Sequence, residues 1–115
     1  MAITILHNPR CSKSRATLAL VQEHGAEPDI RLYLVDPPSE DEIREILTLL
    51  GRSPRELLRK GETEYKEQGL ADPNLDDETL ISAMAATPRL IERPIVLANG
   101  KAAIGRPPES VLEIL

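Results

Sequence analysis

The hydrophobic positions change period several times along the chain, and each change marks an element. Ala2 to Leu6 is a short apolar run closed by Asn8-Pro9, which predicts a buried first strand. Thr17, Leu20, Val21 and His24 then fall at i, i+3, i+4 and i+7, so residues 12–24 read as a helix stopped by Gly25. Ile30, Leu32 and Leu34 alternate with Arg31 and Tyr33, the period of a second strand, which Pro37-Pro38 ends. Ser39 and Glu42 form a capping box ahead of the stripe Ile43, Ile46, Leu47 and Leu50, and Gly51 closes that helix. Ser53-Pro54 starts another helix that runs to about Lys60, residues 61–69 are polar and helical only in part, and Asp76 or Asp77 caps a helix ended by Pro88. Ile95 to Leu97 and Ala102 to Ile104 flank Asn99-Gly100, a two-residue hairpin signal. Pro107-Pro108 precede Val111, Leu112 and Leu115, one face of a last helix. The order predicts a single α/β domain over residues 1–115, with a mixed sheet of about four strands and a helical insertion at about 52–88.

Composition narrows what such a domain can do. The 115 residues are 41% apolar and 29% charged, the proportions of one globular unit. Nineteen Asp and Glu against 14 Lys and Arg leave a net charge of −5, and Tyr33 and Tyr65 are the sole aromatics. An acidic surface without stacking side chains disfavours nucleic acid as a partner. The longest apolar run, Leu18 to Val21, is far short of a bilayer span, and the start lacks the apolar segment of a signal peptide, so the expected place is cytoplasmic, with no membrane partner. One cysteine excludes an internal disulfide, and His7 and His24 are too few and too far apart for a structural metal site.

The candidate chemistry gathers on that cysteine. Cys11 stands where the first strand turns into a helix, and free backbone N–H groups with the positive end of the helix dipole favour its thiolate. Arg10, Lys13 and Arg15 add positive charge, and the same amides can cradle a tetrahedral anion. A phosphatase loop needs arginine six positions after the cysteine, where this chain has Thr17. A dithiol redox motif needs a second cysteine where it has Ser14, so a disulfide cycle must borrow an external thiol. Ser14 is expected either to donate to the thiolate or to face solvent. Arg93-Pro94 is a candidate cis bond, and Arg106 stands on a constrained turn between Gly105 and Pro107.

His7-Asn8-Pro9-x-Cys11, then Leu57-Leu58-Arg59, then Arg93-Pro94-Ile95-Val96, then Gly105-Arg106-Pro107 resemble, in order and spacing, the glutaredoxin-linked arsenate reductase family. The resemblance runs essentially end to end and implies a thioredoxin/glutaredoxin-like fold with a helical insertion. It implies that Cys11 is the nucleophile, that Arg59, Arg93 and Arg106 bind the oxyanion, that His7 and Ser14 support the thiol, and that Pro94 is the cis-proline beside it. It implies arsenate or a similar oxyanion as substrate, glutathione as co-substrate, glutaredoxin as partner, and no bound cofactor. The basic loop Arg10-Cys11-Ser12-Lys13-Ser14 is most similar to a chromosomal branch of the family. Two other functions share the fold or the thiol: an RNA-polymerase-binding regulator, and a monothiol oxidoreductase acting on glutathione mixed disulfides. Ser14 and the full arginine set count against the regulator.

Overall fold

The computed structural model describes residues 3–115. Its strands are β1 (Thr4–Leu6), β2 (Asp29–Arg31), β3 (Ile95–Ala98) and β4 (Lys101–Ile104). Its α-helices are α1 (Ser12–Glu23), α2 (Glu40–Leu50), α3 (Pro54–Leu57), α4 (Thr63–Glu67) and α5 (Asp77–Ala86), with 3₁₀ helices at Pro88–Leu90 and Pro108–Ile114. The chain divides into two compact units, one of residues 1–36 with 93–115 and one of residues 37–92. The expected start of the first strand at Ala2 lies outside the described residues.

The first unit is a mixed four-stranded sheet in the order β2-β1-β3-β4, with helices. β1 runs parallel to β2, pairing Ile5 with Ile30, and antiparallel to β3, pairing Ile5 with Val96. The β3–β4 hairpin turns on Asn99 at φ 56° and Gly100 at φ 71°, the left-handed pair that the Asn-Gly signal predicts. Asn99 also donates through Nδ2 to the Ile114 carbonyl at 2.6 Å, tying the turn to the chain's last helix. Ile5, Val21, Val96, Ala98, Val111 and Ile114 form the core.

Two expected elements of this unit differ from the pattern. The second strand stops at Arg31, because the Leu32 carbonyl accepts from the N–H groups of Val35 and Asp36 and turns the chain. Ile30 is exposed within the strand, and past its end Tyr33 is buried while Leu32 and Leu34 are exposed. The last helix is 3₁₀, not α. Residues three apart eclipse one another in a 3₁₀ helix, so Val111 and Ile114 face inward together and Leu112 turns out.

The second unit is all helical. The Ser39–Glu42 capping box starts α2, and Gly51, at φ 67°, ends it in the left-handed conformation. Ile43, Ile46 and Leu47 of α2, Leu57 of α3 and Leu80, Ile81 and Met84 of α5 are buried in it, together with Leu58, Leu70, Leu90 and Ile91. α3 ends at Leu57, earlier than the expected Lys60, because Leu58 is extended and bridges Ile91. The unit is wider than the expected insertion of 52–88: it also takes in α2 and runs to Glu92.

Candidate active site

The loop between β1 and α1 is built by Asn8. Its side-chain Oδ1 accepts from the Arg10 N–H at 3.0 Å, its carbonyl accepts from the Cys11 N–H at 3.0 Å, and its own N–H donates to Ser14 Oγ at 3.0 Å. That folding delivers Cys11 to the N-cap of α1 with extended backbone angles, φ −93° and ψ 124°. The thiol makes no capping hydrogen bond, and the first turn of α1 carries no acidic residue to neutralise the helix dipole. Cys11 is partly exposed, which a nucleophile requires.

Partial burial pushes the Cys11 pKa up, but opposing effects leave it below the ordinary thiol value. The backbone N–H of Ser14, the Arg93 guanidinium, the N–H of Lys13 and the Arg106 guanidinium all favour the anion. Arg93 and Arg106 are also tied to one another: Arg106 Nε donates to the Arg93 carbonyl at 2.9 Å. The bonds Arg93-Pro94 and Arg106-Pro107 are both cis, the first expected from the sequence and the second not. Between them the Gly105 N–H donates to the Pro94 carbonyl at 2.9 Å.

Gly105 is a functional residue that reading the sequence passed over, apart from its place in a motif. A Cβ there would lie 2.4 Å from Thr17 Oγ1 and 2.8 Å from Pro94 Cγ, so only glycine admits α1 this close to the turn that carries Arg106. Thr17 is fully buried, and its hydroxyl donates to the Lys13 carbonyl at 2.8 Å. The buried polar Thr on the inner stripe of α1 was the available signal.

His7 and Ser14 support the loop in a way the sequence does not specify. Both are buried, and His7 Nδ1 and Ser14 Oγ share a hydrogen bond of 2.7 Å. Burial first, and then the charge of Arg15, hold the His7 pKa below its ordinary value, so the ring is neutral at pH 7. The Ser14 hydroxyl is thus engaged with His7 and the Asn8 N–H, neither solvent-facing nor reserved for the thiol. What Ser14 turns toward the sulfur is its backbone N–H.

Cys11, Arg93, Pro94, Arg106, His7 and Ser14 all belong to the sheet unit. Arg59 belongs to the helical unit, where its guanidinium pairs with Glu62 at 2.5 Å and its N–H donates to the Leu90 carbonyl at 2.8 Å. Chemically, the sheet unit offers a stabilised thiolate beside two cations with planar donor arrays, a set suited to attack on a tetrahedral oxyanion.

The chain is 57% identical to the Escherichia coli (strain K12) protein named uncharacterized protein YfgD, over 98% of this chain and 96% of that one. It is 51% identical to a Neisseria meningitidis serogroup A protein named arsenate reductase, over 98% and 97% of the two chains. The solved structure of arsenate reductase from Vibrio cholerae superposes with a TM-score of 0.97 at 50% identity, covering all of this chain and 98% of that one. The ArsC family model matches residues 6–114, nearly the entire sequence, and the chain therefore belongs to the ArsC family.

Proposed function

We propose that this protein reduces arsenate, or a similar tetrahedral oxyanion, with Cys11 as nucleophile and glutathione and glutaredoxin as the source of electrons. The observation that carries the reading is the partly exposed Cys11 thiol on the N-terminus of α1, with Arg93 and Arg106 both favouring its anion. Homologues named arsenate reductase supply the substrate. The Cys11 thiolate attacks arsenic(V) and displaces one oxygen as water, forming an S–As bond. Two glutathione thiols then deliver two electrons: arsenic leaves as arsenite, Cys11 returns as a thiolate, and the two glutathione sulfurs end joined as a disulfide, with glutaredoxin resolving the mixed disulfide on the way. The guanidinium forks of Arg93 and Arg106 bind pairs of arsenate oxygens and hold arsenic over the sulfur.

Arg59 enters this reading through the motif Leu57-Leu58-Arg59 as a third oxyanion ligand. Both compact units serve one functional domain, because the family match runs through both. A chain with one cysteine and an external thiol cycle works in a reducing compartment, and we assign it to the cytoplasm. Among the described residues no helix is long and apolar enough to cross a membrane.

A coupled assay with arsenate, glutathione, glutaredoxin, glutathione reductase and NADPH tests the reading. Arsenate-dependent NADPH consumption that disappears in Cys11→Ser supports it. No arsenate-dependent consumption, with RNA polymerase retained by the immobilised protein, would replace it with the regulator function.

A further inference from the structure

We propose that the groove between the loop of residues 7–10 and the turn at Leu32 to Val35 is the glutathione site. The proposal rests on the reading above for its co-substrate and on four observations for its place. First, the groove is a cavity of about 260 Å³, near the lower end of small-ligand sites and suited to a short peptide. Second, one wall is the segment His7 to Arg10, which immediately precedes Cys11 in the chain.

Third, the other wall is apolar and left partly exposed. β2 ends at Arg31, and the turn that follows leaves Leu32 42%, Leu34 38% and Val35 80% exposed. Three apolar side chains in four positions, left out of the core beside a reactive thiol, form a contact surface for a ligand with an apolar stem. Fourth, a cation stands at the rim. Arg10 lines the groove, is exposed and has no ion pair among the described residues. Glutathione brings two carboxylates to this cation and a methylene-rich backbone to the apolar wall, which is the charge complementarity the groove offers.

The test separates this site from the arsenate chemistry by using glutathione disulfide alone. The Cys11 thiolate attacks one sulfur of the disulfide, an S–S bond forms between protein and glutathione, and the second glutathione departs as thiolate. Bis(2-hydroxyethyl) disulfide undergoes the same exchange without carboxylates or a peptide stem. Mass spectrometry of the intact protein reads both rates, and their ratio cancels any change in the thiol itself. Arg10→Gln and Val35→Asp are both at exposed positions. Each is expected to lower the ratio of the glutathione to the hydroxyethyl rate by about tenfold, one charge-assisted contact or one buried apolar contact. An unchanged ratio in both variants, or a wild-type protein with no preference for glutathione disulfide, overturns the site. If the ratio falls but no arsenate-dependent turnover is found, the site stands and the arsenate reading fails.

Discussion

Cys11 is held reactive by groups that come from two distant parts of the chain, and each part can be removed separately. The Lys13 and Ser14 amides are local to α1, whereas Arg93 and Arg106 arrive through Pro94 and Gly105. Arg93→Gln or Arg106→Gln should therefore shift the alkylation profile of Cys11 to higher pH while leaving a profile still governed by the helix amides. Iodoacetamide labelling against pH measures this without ambiguity, since the chain has one thiol. Replacement by lysine keeps the charge, so thiol reactivity should barely move, but kcat/KM for arsenate should fall by about 10²-fold with the loss of the planar fork. Gly105→Ala tests the packing below the arginines. Its Cβ meets Thr17 and Pro94 well inside contact distance, so it should cost about 1–3 kcal/mol in a urea melt and impair catalysis, and Thr17→Ala should recover part of both. His7 supplies a pH signature. Its folded pKa is lowered, so the unfolded chain binds the proton more readily, and stability should decline as pH falls through about 6.5, the unfolded value. The urea midpoint of His7→Gln should lose that slope and keep the carboxylate losses at lower pH. The place of Cys11 at the head of α1 and the cis bond at Arg93-Pro94 were legible in the sequence because short local signals specify them. The roles of Thr17 and of the Ser14 hydroxyl were not: Thr17 lies 88 positions from Gly105, and the Ser14 partner depends on how Asn8 folds the loop.

At the scale of elements, local signals succeeded where the backbone chooses its own conformation and failed where tertiary contacts choose it. The α2 boundaries follow from Ser39, Glu42 and Gly51, groups that act within one turn of themselves. The hairpin follows from Asn99-Gly100 for the same reason. Alternation in residues 30–34 suggested a longer strand, but β2 lies at the sheet's edge and has only β1 as a neighbour, so nothing pairs with residues beyond Arg31 to extend it. The spacing of Val111, Leu112 and Leu115 fits an α-helix, yet packing on Val96 and Ile5 selects the three-residue period that buries Val111 and Ile114. Two substitutions check this account. Ser39→Ala removes the acceptor for the Glu42 N–H and should destabilise the helical unit by about 1 kcal/mol. Asn99→Ala loses both a residue that tolerates positive φ and the bond to Ile114. It should cost about 1–3 kcal/mol, with the C-terminal amides of residues 111–115 exchanging faster with solvent.

Over the whole molecule the charge is divided unevenly, and this reconciles an acidic chain with the oxyanion substrate proposed above. Residues 1–36 and 93–115 carry seven Lys and Arg against six Asp and Glu, whereas residues 37–92 carry seven against thirteen. The helical unit therefore carries a net −6, and the unit bearing Cys11 is slightly positive, with Arg10, Lys13, Arg15, Arg93 and Arg106 among its cations. The proposed oxyanion would respond most to charges within about a Debye length of the thiol, roughly 8 Å at physiological ionic strength. Two consequences can be measured together. Raising KCl should lower kcat/KM for arsenate several-fold through KM, because screening weakens capture and leaves the covalent step alone. Lys13→Gln should flatten that salt dependence. Glu67→Gln, an exposed carboxylate outside the sheet unit, changes the total charge by the same magnitude and separates the effect of total charge from that of Lys13. A salt response that follows net charge equally in both variants would mean that the whole acidic surface, and not the basic segment around Cys11, sets the encounter with substrate.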